Sequence, residues 1–315
     1  MQILNDMAGK LFATKPDWSD VSELGLAELL VPEAAGGFGG SWKDAQAVFR
    51  LAGYFGLDLP IVETIAASGL AQRPIKGQVA IAEACEGTIS KDLFSGRLAH
   101  VAWGDRVEWV LAQCAGQLFL AQTSDATLET DHVLLGRSAA TLSFQDVEIE
   151  RLSWTGDLMT WGAAIMTAPM AGAMDAALET SVSYVNDREQ FGKKIGKFQA
   201  VQQELAVFAL EAAAANSASI AAFSALQDGD YAFEAAAAKL RCNMAAGEAT
   251  RISHQVHGAI GFTQEYILQS FTRQIWGWRS RFGSEAVWAA KLGDIAAVQK
   301  GSQFWDFMVA RDHGA

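Results

Sequence analysis

The arrangement of apolar positions changes character twice along the chain. From about residue 18 to residue 73 they recur at helical spacing. Leu24, Leu26, Leu29 and Leu30 precede Val31-Pro32-Glu33, then comes the loop Gly36-Gly37-Phe38-Gly39-Gly40, and Ala47, Val48, Leu51 and Ala52 make the stripe of a second helix. Ser41 is the predicted N-cap of that helix, with Asp44 at the reciprocal capping position. Between residues 78 and 152 short apolar runs alternate with Gly, Asp and Ser clusters, which predicts strands at 107–112, 117–121, 132–135 and 140–149. In the last of these, Leu142 and Phe144 alternate in one phase and Val147 and Ile149 in the other, so a turn or bulge is expected at Gln145-Asp146.

From about residue 161 onward the pattern is helical again and rich in Ala. Phe198, Val201, Leu205, Phe208, Ala212, Ala215, Ala222 and Leu226 form one stripe about eight turns long. Further long helices are expected at 166–187, at 232–255 before Gly258, and after Ser284. Four long helices with short connections predict a four-helix bundle. The fold class expected is α+β, mostly α: an N-terminal helical domain (1–76), a small reduced β domain (77–153) and a C-terminal four-helix bundle (154–315). The stripe, with Trp276, Trp278 and Trp288 nearby, is too apolar for a lone small bundle and predicts an oligomeric contact.

Composition narrows the function. Of 315 residues, 36 are acidic and 24 basic, for a net charge of −12, which argues against a nucleic-acid partner. The three cysteines, Cys85, Cys114 and Cys242, have no short spacing, so neither a zinc site nor a disulfide framework is expected, and a reduced cytoplasmic setting is. The first ten residues lack the apolar core of a signal peptide. The longest apolar run, near 161–174, is interrupted by Pro169 and falls short of the ~20 residues of a membrane span, so no membrane is expected and the run reads as a buried helix start.

Two segments carry candidate chemistry. Arg188-Glu189-Gln190-Phe191-Gly192-Lys193-Lys194, followed by Lys197, Phe198 and Gln199, gathers positive charge between two helices. It reads either as a pyrophosphate or adenosine clamp, Arg supplying a planar donor fork and Phe a ring face, or as a solvated turn. Gln255-Val256-His257-Gly258-Ala259-Ile260-Gly261-Phe262 ends the next long helix. It offers either a backbone platform open to a ligand or an ordinary glycine cap. His254 and His257 could share a helix face but have no further metal ligands near them, so no metal is expected. Arg273, Arg279 and Arg281 form a basic island that could meet phosphates, an acidic partner or carboxylates of the chain itself.

Taken in order, these segments resemble the acyl-CoA dehydrogenase family over nearly the whole chain. The stretch from Leu24 to Gly39 looks like that family's N-terminal domain. Tyr184, Arg188, Gln190, Phe191, Gly192 and Gln199 look like its Arg-x-Gln-Phe-Gly flavin clamp, and Gln255 to Thr263, with Glu265 and Arg273, looks like its second clamp. The resemblance implies FAD shared across a subunit interface, its ADP half held by Arg188, Gln190, Phe191, Gln199, Gln255, Gly258 and Ala259, where Ala259 replaces a usual Gly. It also implies an acyl-CoA substrate, an electron-transfer acceptor and α,β-desaturation of the thioester.

The departures from the family pattern carry equal weight. The Thr-Glu-Pro and Gly-Ser-Asp flavin strand motif is missing, and the nearest text is Ala80-Ile81-Ala82-Glu83-Ala84-Cys85-Glu86-Gly87. The family's base, a carboxylate suited to removing the α-proton, aligns with Phe282, and the alternative base position with Gly162. No catalytic residue is therefore assigned; Glu285 or a partner carboxylate would be the base. The expectation is a subunit of a heteromeric α2β2 enzyme resembling those that degrade steroid CoA thioesters. The alternatives are a self-sufficient homomer with a relocated base, or an inactive assembly subunit.

Overall fold

The computed structural model describes residues 2–131, 139–299 and 301–312. Four helices come first: α1 (Gln2–Ala13), α2 (Trp18–Glu23), α3 (Trp42–Tyr54) and α4 (Ile61–Ala71). Ser41 caps α3 as expected, its hydroxyl accepting from the Asp44 amide while the Asp44 carboxylate accepts from the Ser41 amide.

Eight strands follow: β1 (Val79–Ile81), β2 (Ala84–Ser90), β3 (Leu93–Ala102), β4 (Trp109–Cys114), β5 (Gln117–Gln122), β6 (Thr127–Asp131), β7 (Ala139–Glu148) and β8 (Glu150–Arg151). They make two four-stranded sheets, ordered β1-β4-β5-β8 and β2-β3-β7-β6, with β1 parallel to β4. The bulge expected in β7 is present. Phe94 pairs with Val147 but Gly96 pairs with Phe144, and Asp146 takes φ 52° with its amide on the Ser95 hydroxyl. The run expected at 132–135 lies outside the described residues. Strand β1 escaped the sequence reading because it is only three residues long, and β2 and β3 because their apolar positions are interrupted by Glu, Gly, Ser and His.

The rest is helical: α5 (Leu158–Asp187), a hairpin of β9 (Glu189–Gln190) and β10 (Lys193–Lys194), then α6 (Gln199–Asp228), α7 (Ala232–His257), α8 (Leu268–Ser280), α9 (Glu285–Val298) and α10 (Ser302–Asp312). Two expectations need correction. The bundle has three long helices, α5, α6 and α7, and the fourth position is shared by the shorter α8 and α9. Nor does the first long helix begin near Met166; it starts about two turns earlier, at Leu158. Asp157 caps α5, its carboxylate accepting from the Thr160 amide, and the helix runs through Pro169. Burial of almost every residue from Leu158 to Met174 outweighs the lost backbone bond.

One apolar core joins the N-terminal helices to the bundle. Helices α3 and α5 meet backbone to backbone at Gly53 and Gly172, where a β-carbon on either would collide with the facing chain. The α6 stripe is buried from Phe208 to Leu226, while Phe198, Val201 and Leu205 are only partly covered. Helix α6 is long and apolar enough by composition to cross a membrane, and its apolar surplus lies on the outer face, at Val207, Leu210 and Ile220.

Candidate functional site

The two clamp segments meet at one end of the bundle. The chain leaves α5 at Arg188 and turns sharply through the β9–β10 hairpin, where Phe191 and Gly192 both take positive φ, 54° and 76°. This left-handed pair gives a tight two-residue hairpin turn, and it holds the Phe191 ring away from the protein at 91% exposure. Phe191 touches Phe198 edge-on, and the Lys193 ammonium sits 4.2 Å above the Phe198 ring. Tyr184, one turn before Arg188, stacks on His257 with ring centres 4.5 Å apart, and Gly258 follows at once. That stack ties the first segment to the second.

Beyond His257 the backbone tightens into a 3-10 turn (Gly258–Phe262), and Phe262 folds back to stack on His254 at 4.2 Å. A groove of about 600 Å³ opens there, lined by Thr250, Arg251, His254, Gln255, Gly258, Ala259, Phe262 and Trp276. Burial holds both imidazoles below the ordinary histidine range, and for His254 the neighbouring His257 adds to the effect. His254 binds Thr272 through Nε2, while its Nδ1 and His257 Nε2 are buried with no partner among the described residues.

All seven sequence-named residues, Arg188, Gln190, Phe191, Gln199, Gln255, Gly258 and Ala259, are exposed. Gln255, Gly258 and Ala259 line the groove, and the other four stand on or beside the hairpin. Among the described residues nothing hydrogen-bonds or ion-pairs with the Arg188 guanidinium. An exposed arginine fork, a free ring and a glycine-lined groove suit an elongated anion carrying an aromatic group. An ADP moiety fits that description.

The centre of the molecule is built in the opposite way. The two positions where the family pattern would place a base come into contact: the fully buried Phe282 ring lies against Gly162, so closely that a β-carbon there would collide with it. Phe282 takes φ 52°, its amide donates to Glu83 Oε2 at 3.0 Å, and its carbonyl accepts from Trp288 Nε1 at 2.9 Å. Next to it the largely covered Arg281, its side chain 11% exposed, pairs with the buried Glu63 of α4 and, at 2.8 Å, with Glu83. Those carboxylates outweigh its desolvation and hold Arg281 above the ordinary arginine value. This triad ties α4, the β1–β2 connection and the α8–α9 turn together.

The remaining polar groups here are also structural. Buried Lys239 donates to Trp278 O at 2.5 Å and Asn243 Oδ1 at 3.0 Å, and burial pushes its ammonium down to about 7. Glu285 is gripped by Arg279 through two nitrogens at 3.0 and 2.6 Å. Two of the three arginines of the basic island thus serve ion pairs within the chain. The stretch nearest the flavin strand motif, Ala80 to Gly87, is the end of core strand β1, then Glu83, then the start of β2. Sequence reading missed the triad because Glu63, Glu83 and Arg281 are far apart along the chain. Trp278 and Trp288 are core residues, and Trp276 walls the groove under Arg279.

Three helical and sheet layers in this order define the acyl-CoA dehydrogenase fold. The solved ChsE4-ChsE5 complex from Mycobacterium tuberculosis shares it at a TM-score of 0.84 and 17% identity, covering 95% of this chain and 98% of that one. The Tcur3481-Tcur3483 steroid ACAD shares it at 0.81 and 21% identity, covering 94% and 97%. Residues 153–295 match the family model "Acyl-CoA dehydrogenase, C-terminal domain". Among curated relatives from Mycobacterium tuberculosis, acyl-CoA dehydrogenase FadE34 is 28% identical over 309 residues, and acyl-CoA dehydrogenase IpdE2 is 29% identical over 261. The chain aligns over 90% of its length with 42% of FadE34, and over 81% with 78% of IpdE2. The chain is thus similar to acyl-CoA dehydrogenases in fold over its length and in sequence most clearly over residues 153–295.

Proposed function

We propose that the chain is a non-self-sufficient subunit of a heteromeric, FAD-dependent acyl-CoA dehydrogenase, giving the ADP half of the flavin site to a partner subunit. One observation carries the reading. Every clamp residue is displayed outward, while both positions for a base are filled by Phe282 packed on Gly162. Arg188 would pair with pyrophosphate oxygens, Phe191 would cover the adenosine side, and Gln199 and Gln255 would donate amide hydrogens. Gly258 and Ala259 would let the backbone come close. Bound FAD supplies the hydride acceptor of the desaturation. The partner supplies the flavin strand motif and the carboxylate that takes the α-proton. Two solved structures that share this fold are the ChsE4-ChsE5 complex and a steroid ACAD, which favours a steroid-derived CoA thioester as substrate.

The outer face of α6 and α7, with Val207, Leu210, Ile220 and Met244 exposed, is the surface for bundle-to-bundle contact in an α2β2 assembly. Its exposed Gln202 and Gln203 suit a protein partner better than lipid. A homomer would need Glu285 as base, and the Arg279 pair already occupies that carboxylate. Co-expression with an intact family member, followed by native mass measurement and flavin absorbance, tests the proposal. A yellow heterotetramer is expected. A stable monomer that never enters a complex would refute it.

A further inference from the structure

The fold joins two thiols that sequence spacing keeps apart. Cys85 lies near the start of β2 and Cys114 at the end of β4, on different sheets. Cys114 Sγ lies 3.2 Å from the carbonyl oxygen of Gly87, two residues along β2 from Cys85, which makes the two thiols neighbours across the sheets. Both belong to the same apolar cluster; Cys114 is buried and Cys85 half-buried. Both are free thiols, as is Cys242, which is fully buried in the bundle.

Position gives this pair a consequence. Strand β2 begins immediately after Glu83, the residue that holds Arg281 and the Phe282 amide. Tying β2 to β4 would fix the connection from which Glu83 reaches across to the α8–α9 turn.

We propose that Cys85 and Cys114 form a redox-modification site, at which a low-molecular-weight disulfide closes a cross-sheet disulfide bond. Cys85, the more accessible, loses its proton and attacks one sulfur of the oxidant, forming a mixed disulfide and releasing one oxidant thiolate. Cys114 loses its proton, attacks the Cys85 sulfur and displaces the second thiolate. Two protein thiols give up two electrons and two protons, and the oxidant leaves as two thiols. Burial and the adjoining Cys114 push the Cys85 thiol up to about 12, so thiolate is scarce at neutral pH and exchange is slow. Alkaline solution speeds it.

The test incubates the folded full chain with oxidised glutathione at pH 7 and pH 8.5, then alkylates free thiols in denaturant and maps the peptides. The expected result is loss of two of the three free thiols, a linked peptide pair carrying Cys85 and Cys114, and faster reaction at pH 8.5. The thermal midpoint should rise and fall back on reduction. Cys85→Ser should keep both remaining thiols free, Cys114→Ser should stop at a glutathione adduct on Cys85 that nothing resolves, and neither should form the linked peptide pair. In the parent chain, three free thiols after prolonged oxidation, a lasting glutathione adduct on Cys85, or linkage only between chains would each overturn the proposal.

Discussion

The two ends of the α5 helix invite comparison. At its C-terminal end the chain spends a hairpin, a 3-10 turn and two aromatic stacks to hold polar and aromatic groups in the open. At its N-terminal end, the position aligned with the family's alternative base, Gly162, is packed against the Phe282 ring, beside the Arg281–Glu63–Glu83 ion triad. One region is ordered without being used by its own fold, and the other is used entirely by its own fold. Under the proposed function, the fold would be kept while the chemistry moves to a partner, and the displayed surface would be the part that serves that partner.

If the buried centre is structural, breaking it should be costly. Arg281→Ala leaves Glu63 and Glu83 facing each other in a buried site. A loss of about 3–5 kcal/mol is expected, read by urea unfolding. A loss under about 1 kcal/mol would mean that water reaches the site and that the centre is an open cleft. Phe282→Ala removes a fully buried ring and should cost about 3–5 kcal/mol without creating dehydrogenase activity in the chain alone. Activity appearing in that variant would show that only the ring stood between this chain and catalysis.

The same comparison explains what could be read without coordinates. The candidate clamp could be named from sequence because its residues are close together and of suggestive types: an arginine, an aromatic residue and glycines in fixed order. The capping box at Ser41 and the phase switch at Asp146 were legible for the same local reason. The triad was not, because its members sit on α4, after β1 and after α8, and only folding brings them together. The split of the fourth bundle helix was hidden because residues 267–282 were judged by charge and not by apolar period. Buried Leu268, Phe271, Thr272, Ile275 and Trp278 do follow helical spacing.

The clamp end should respond in the opposite sense. Arg188→Ala should leave the stability of the isolated chain within about 0.5 kcal/mol of the parent, since nothing among the described residues binds its guanidinium. In the assembled complex the same change should weaken FAD retention roughly tenfold to a hundredfold, the worth of a charge-assisted hydrogen bond. Destabilisation of the isolated chain would make Arg188 part of the fold, and unchanged FAD content would make it a surface turn residue.

The smallest expected effect is one of pH. Burial keeps His254 and His257 below the ordinary histidine range, so both are neutral in the folded chain at pH 7. As pH falls below about 6.5 the unfolded chain takes up protons that the folded chain resists. The stability these groups contribute is complete above that value and is lost as pH falls through the lowered folded values. Thermal melts between pH 7.5 and 5 should show the decline. His257→Gln should flatten it, and an identical slope in that variant would assign the decline to other groups.

The central claim is that this chain presents a flavin clamp to a neighbour and has no working reaction centre of its own. Flavin absorbance and acyl-CoA dehydrogenase turnover of the purified chain, expressed without a partner in FAD-replete cells, test it most directly. A colourless, inactive protein is predicted, becoming a yellow, active assembly once an intact family member is co-expressed. A yellow chain that turns over an acyl-CoA thioester alone would contradict the claim.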